Sequence, residues 1–267
     1  MNKKLLRWIK VLVLLYCIIG IALYYLQNTF LFHPVVLERS YHYQFDTPFA
    51  EVDIPVNETD TINLVKFFPA DSVRKGVVIY FHGNRSNISR YSKFATAFTG
   101  NGYEVWMPDY PGYGKSTGER NEKKLYEMAR QVYRLAASKY SKDSIVIFGK
   151  SLGTGIAAYL ASATDCKQLI LETPYYSIPD LFGCYAPIYP VDRMATYRIP
   201  TNEYLLDVKV PITILHGTDD GVIPYRCAVK LKESLKPTDR FITIEGGSHH
   251  NLSKFPVFQQ TLDSLLR

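Results

Sequence analysis

The residues best placed for chemistry are Gly149-Lys150-Ser151-Leu152-Gly153, a serine held between two glycines. An unbroken apolar run (145–148) precedes them and a segment rich in small residues follows. Paired glycines let the chain turn sharply from strand to helix. Such a turn exposes the hydroxyl and puts the Leu152 N–H at a helix N-terminus, the positive end of the peptide dipoles. A serine hydroxyl is a poor nucleophile until a base removes its proton. Two bases are on offer, His249 and His250, in the glycine-loosened loop 245–251 after the apolar run 241–244. Two carboxylates, Asp219 and Asp220, stand in the loop 216–224 after the run 212–215. A carboxylate beside an imidazole fixes its tautomer and stabilises the imidazolium. The tetrahedral oxyanion of acyl transfer then needs preorganised N–H donors. Leu152 supplies one, and a second is expected from the loop after the run 77–81, which reads His82-Gly83-Asn84.

These residues need a scaffold that gathers strand ends. Residues 50–56 and 62–68 read as a starting β-hairpin, and 77–81, 103–107, 145–148, 169–171, 212–215 and 241–244 as further strands. The stretches 90–98, 119–139, Leu152–Ala163, 225–235 and 255–266 read as helices. Leu125, Met128, Ala129, Val132, Leu135 and Ala136 recur at helical spacing. Unalternating apolar strands separated by helices imply a mostly parallel, doubly wound α/β sheet covered on both faces. Ligands of such sheets bind beyond the carboxyl ends of the strands, where the serine, aspartate and histidine loops all lie.

Taken together, Phe81-His82-Gly83-Asn84, Asp109-Tyr110-Pro111-Gly112-Tyr113-Gly114, Gly149-Lys150-Ser151-Leu152-Gly153 and the segment 216–224 resemble an α/β-hydrolase. More narrowly, the chain is similar to the small, N-terminally membrane-anchored serine hydrolases related to the abhydrolase-domain depalmitoylases. The chain order Ser, Asp, His is the one expected of that fold. The resemblance implies an α/β-hydrolase fold with a short lid and a triad of Ser151, Asp220 and His249. It prefers Asp220 to Asp219 by the distances to His-Gly and to Pro224, and His249 to His250 because the base follows a Gly-x pair. It makes the backbone N–H groups of Asn84 and Leu152 the oxyanion donors. The run His249-His250-Asn251 departs from the His-Asn-Asp of many relatives, and Glu172 is the acid in some of them.

Other readings fail on spacing. Gly114-Lys115-Ser116 and Gly149-Lys150-Ser151 lack the earlier glycine of a phosphate-binding loop, since positions 109 and 144 are Asp and Ser. Gly112-x-Gly114-x-x-Thr117 lacks the third small residue of a dinucleotide fingerprint. No metal-ligand pattern is present, so neither cofactor nor metal is expected. Asp109, His82 and His216 are expected to be structural. Sequons stand at Asn57, Asn84, Asn87 and Asn251, two of them overlapping the expected site.

The segment 173–209 is where a lid inserts, and it carries six tyrosines with Phe182 and Ile188. Tyr175, Tyr176 and Phe182 are the candidate substrate contacts, an apolar wall for an acyl chain. Simple packing of this segment over the sheet is the competing account.

The chain has 267 residues, 47% hydrophobic and 21% charged, with a net charge of +6. This excludes disorder as a description of the whole. Lys3, Lys4, Arg7 and Lys10 supply four of the charges. Without them 27 basic residues face 25 acidic ones, so the body carries no electrostatic footprint for nucleic acid. Residues 11–32 carry no charge, and 22 residues of helix span about 33 Å, enough for a bilayer core. Cations before the span place the N-terminus in the cytosol and the rest outside it. Residues 1–37 are therefore expected to be a stub and transmembrane anchor, and 38–267 one catalytic domain. A cleaved signal peptide or a buried core helix would look similar, but Ala22, between Ile21 and Leu23, offers no small-x-small cleavage site. Cys166, Cys184 and Cys227 read as free or buried thiols, with one disulfide open to them in an oxidising compartment. The expected substrate is a small-molecule or lipid acyl ester or thioester. A serine peptidase and a catalytically silent hydrolase fold serving as an interaction module are the alternatives, and oligomeric state is left open.

Overall fold

The computed structural model describes residues 2–71 and 74–267. Helix α1 (Lys3–Tyr25) is capped by the Asn2 side chain, which accepts from the Lys4 N–H, and buries none of its residues. It is long and apolar enough to cross a membrane. The uncharged run 11–32 is not one span. The helix stops at Leu26, and the short α2 (Gln27–Leu31) that follows packs on the body. Leu31 and Phe32 join the main core. The Gln27 amide donates to the Tyr24 and Met194 carbonyls and accepts from the Thr196 N–H. Gln27, its bonding satisfied inside the body, starts the packed segment before the apolar run ends.

Eight strands form one sheet: β1 (Phe49–Pro55), β2 (Thr61–Phe67), β3 (Gly76–Phe81), β4 (Tyr103–Pro108), β5 (Ile145–Lys150), β6 (Gln168–Glu172), β7 (Ile212–Gly217) and β8 (Arg240–Ile244). Their spatial order is β8-β7-β6-β5-β3-β4-β2-β1. The β1–β2 hairpin pairs antiparallel and β2 is antiparallel to β4, whereas the rest of the sheet is parallel. Alternate side chains feed two cores, as period-two geometry requires. Val77, Ile79 and Phe81 face the helices α3 (Glu122–Ala137) and α4 (Leu152–Ala163), while Val78 and Tyr80 face Phe98, Phe258 and Leu262. The last two lie on the C-terminal helix Pro256–Leu265.

Element boundaries move by one to three residues from the sequence reading. Helix α3 starts at Glu122 because the Asn121 side chain caps it through the Lys124 N–H. Two expected helices are broken. Residues 90–98 become Ile88–Tyr91, a 3₁₀ turn and Thr96–Thr99. Residues 225–235 keep one α-turn, Tyr225–Ala228, before a 3₁₀ segment. Between β6 and β7 the lid carries α5 (Ile178–Tyr185), α6 (Val191–Met194) and α7 (Thr201–Asp207). Cys184 and Cys227 form a disulfide that ties α5 to the turn after β7, which settles the open cysteine question for that pair. Cys166 is buried and free, and Cys17 on α1 is free and exposed.

Candidate active site

Strand β5 ends in Lys150, and Ser151 then adopts φ 51° and ψ −119°, a left-handed conformation that costs a non-glycine residue energy. Neighbouring backbone fixes it. The Ser151 N–H donates to the Glu172 carbonyl at 2.9 Å, and its own carbonyl accepts from the Thr154 hydroxyl. The flanking glycines are steric necessities. A Cβ at Gly153 would lie 2.1 Å from the Phe81 carbonyl oxygen, and one at Gly149 would lie 2.5 Å from that of Gly153. The elbow therefore presses α4 onto β3 and leaves the serine hydroxyl at the strand end.

His249, on the loop after β8, brings Nε2 to 2.9 Å from Ser151 Oγ. Its Nδ1–H donates to Asp220 Oδ2 at 2.8 Å. The second carboxylate oxygen of Asp220 accepts the N–H groups of Val222 and Ile223, each at 2.8 Å. Burial pushes the Asp220 carboxyl up. The His249 hydrogen bond and charge, with the Ile223 N–H and His216, outweigh this and hold it below the usual carboxylate range. All three side chains are buried. Asp219 is exposed, and its carboxylate accepts from the Thr218 hydroxyl and not from His249. His250 sits edge-on against the His249 ring and does not reach the serine.

Asn84 lies beside Ser151. Its side chain donates to the Leu31 carbonyl, and its own carbonyl accepts from the His33 N–H and the Tyr113 hydroxyl. That leaves its N–H without a partner among the described residues. The Leu152 N–H, first in α4, has no acceptor within the helix. Both residues line a cavity of about 440 Å³ that also touches Ser151. Apart from Gln27 its remaining walls are largely apolar, with Tyr175, Phe182 and Tyr189 from the lid, and Leu23, Phe30 and Leu31 from the N-terminal segment. The last three were absent from the sequence reading. No local signal marks them, because a packing contact between the segment before β1 and the lid between β6 and β7 is invisible in either stretch alone. Tyr16 of α1 stacks on lid Tyr189, ring centroids 4.6 Å apart, and each hydroxyl bonds the other segment's backbone.

Comparison with known proteins bears on the family. A family model described as "Serine aminopeptidase, S33" matches residues 72–205, half of the chain. The chain belongs to this family of α/β-hydrolases. An uncharacterised protein of Mycobacterium tuberculosis is 27% identical over 203 residues, 74% of this chain and 72% of its own. The "Alpha/beta hydrolase domain-containing protein 17C" of Xenopus tropicalis is 26% identical over 195 residues, 71% of this chain and 61% of the relative. The matched stretch thus spans less than two thirds of that relative's length. A Pyrococcus furiosus esterase structure superposes with a TM-score of 0.66 at 17% identity, covering 88% of this chain and 98% of the esterase.

The remaining sequence candidates of the hydrolase fall into place. Tyr176 packs against the core, with the Lys230 ammonium over its ring, and does not line the cavity. Its neighbour Tyr175 points the other way, as alternate residues of an extended segment do, and donates to the Leu152 carbonyl. Glu172 bonds Lys150 in a buried ion pair and is no partner of His249. His82 lies 3.2 Å from Asp109, whose carboxylate also accepts the Ile88 N–H, so both brace the loop that carries Asn84. Burial holds His216 neutral, and its Nε2–H donates to the Ile223 carbonyl, bracing the Asp220 loop. The amides of Asn84, Asn87 and Asn251 are all engaged within the protein.

Proposed function

We propose that this hydrolase is a membrane-anchored serine hydrolase that cleaves carboxylic ester or thioester bonds through Ser151, His249 and Asp220. The observation that carries the reading is the continuous hydrogen-bond chain Ser151–His249–Asp220 opening onto an apolar cavity. Ser151 Oγ attacks the acyl carbonyl while His249 Nε2 takes its proton and Asp220 stabilises the imidazolium. The oxyanion forms against the N–H groups of Asn84 and Leu152. Collapse breaks the bond to the leaving oxygen or sulfur, which takes the proton from His249 and departs as alcohol or thiol. Water, deprotonated by His249, then cleaves the acyl-enzyme to release the acid and restore Ser151. Tyr175 and Phe182 form part of the acyl wall.

The family description favours a second reading, a serine aminopeptidase. Such an enzyme must hold the substrate's ammonium, and among the described residues no carboxylate lines either cavity beside Ser151. The acyl ester reading is the better fit.

For topology, residues 1–37 serve as stub and anchor and 38–267 as the catalytic domain, with the N-terminus in the cytosol. Four cations before the span support this. So does the Cys184–Cys227 disulfide, which persists in an oxidising compartment.

A fluorophosphonate probe tests the chemistry. It should label the full-length protein at Ser151, and Ser151→Ala should lose the label. Labelling of the alanine variant, or none of the wild type, overturns the serine mechanism.

A further inference from the structure

Two chambers meet at Ser151, and they are chemically opposite. The apolar one is described above. The second, about 250 Å³, shares Phe30, Asn84, Ser151 and Val222 with it and continues along the segment after Asn84. Its walls include Arg85, Arg90, Lys93 and Lys150, and among the described residues no carboxylate lines it. Lys150 is neutralised by buried Glu172. Arg85, Arg90 and Lys93 are exposed, and none of them forms an ion pair among the described residues. The segment after β3 keeps this face basic, since residues 82–103 contain Arg85, Arg90 and Lys93 and no acid. Burial first, and then nearby cations that include Arg90, push His250 on the same wall toward its neutral form.

Which chamber takes which half of a substrate follows from the proton. His249 lines the second chamber and not the first. In the reading above it hands its proton to the leaving atom, so the leaving group departs on the side that His249 faces. The acyl chain is left with the apolar chamber.

We propose that the basic chamber is a leaving-group site that selects an anion, a phosphate or a carboxylate, so that the substrate is a long-chain acyl ester or thioester with an anionic leaving group. The proposal rests on the serine hydrolase reading. Exposed charge contacts are individually weak, but three cations acting on one anion give a combined preference on the order of tenfold.

The test uses full-length protein in neutral detergent micelles and three dodecanoyl esters, of glycerol, glycerol phosphate and glycerate. The expected kcat/KM for at least one anionic ester exceeds that of the neutral ester by about tenfold, and the two anionic arms separate phosphate from carboxylate. In Arg90→Gln/Lys93→Gln the anionic-to-neutral ratio should fall to within about twofold of one. Lys123→Gln, on the outer face of α3, should keep the wild-type ratio. A wild-type ratio near one, or a ratio that survives the double substitution, overturns the chamber. Binding to Ser151→Ala separates this failure from failure of the hydrolase reading. There the non-hydrolysable dodecyl ether of glycerol phosphate or of glycerate should bind about tenfold more tightly than the neutral dodecyl glycerol ether. No turnover of any ester with this binding difference intact removes the hydrolase reading and leaves the anion site. Equal binding removes the anion site.

Discussion

At the scale of the residue, the two adjacent aspartates show how little separates a carboxylate held against an imidazole from one left in solvent. Asp219 and Asp220 are the same residue type on the same loop, yet one faces solvent and the other accepts from His249 and two backbone N–H groups. Asp220→Asn should therefore lower kcat by about 10³- to 10⁴-fold, because an amide favours the wrong imidazole tautomer. Asp219→Asn should stay within about twofold, as steady-state hydrolysis of a chromogenic ester will measure. The same carboxylate carries a pH signature. Its pKa in the fold is depressed, so its contribution to stability is complete above the ordinary carboxylate range and is lost as pH falls through the lowered folded value. Acid titration of folding stability should be shallower on the acidic side for Asp220→Asn than for the wild type. Equal slopes would contradict the ion-pair account.

At the scale of the element, the lid is tied at the C-terminal end of α5 to the loop and turn after β7. The disulfide Cys184–Cys227, 43 residues apart in sequence, ties α5 to the turn after β7. The Tyr185 hydroxyl donates to the Gly221 and Val222 carbonyls beside Asp220. Cross-linking a loop of this length stabilises a fold by about 2–4 kcal/mol in the chain-entropy account. Cys184→Ser/Cys227→Ser should thus lose about that much in denaturant unfolding, and mild reduction of the wild type should reproduce the loss. Cys166 gives an internal control. Burial pushes its thiol up to about 12, so a maleimide should leave it unmodified until the protein unfolds.

At the scale of the whole molecule, the net charge of +6 separates into a basic N-terminal tip and a nearly neutral body, and the body itself is uneven because residues 72–103 have no acid. The first feature bears on topology. A reporter enzyme fused after Arg267 should be active only when it is one that works outside the cytosol, and cytosolic activity would reverse the proposed orientation. The apolar N-terminal helix also reaches the site, since Leu23 lines the apolar chamber and Tyr16 stacks on lid Tyr189.

Much of this was legible from residue order. The buried strands announced themselves as unbroken apolar runs, because a strand covered on both faces has no polar side to show. The Gly149–Gly153 elbow was readable because its glycines are dictated by local sterics, and α3 because its apolar face repeats at helical spacing. Short helices broken by 3₁₀ turns were not, since tertiary packing of Ile88, Tyr91 and Phe98 outweighs their weak local preference. The sequence alone determined the fold class, the strand-end placement of Ser151, the two aspartates and two histidines, and one apolar N-terminal span. The family resemblance had already preferred Asp220 and His249, which the fold brings within hydrogen-bond reach of each other; only the tertiary structure decided that Cys184 bonds Cys227, that the apolar helix ends at Tyr25, and that Tyr175 rather than Tyr176 lines the cavity. It alone set an apolar and a basic chamber on opposite sides of one serine. Each of those outcomes depends on distances between residues far apart in the chain, and spacing along a sequence carries no such information.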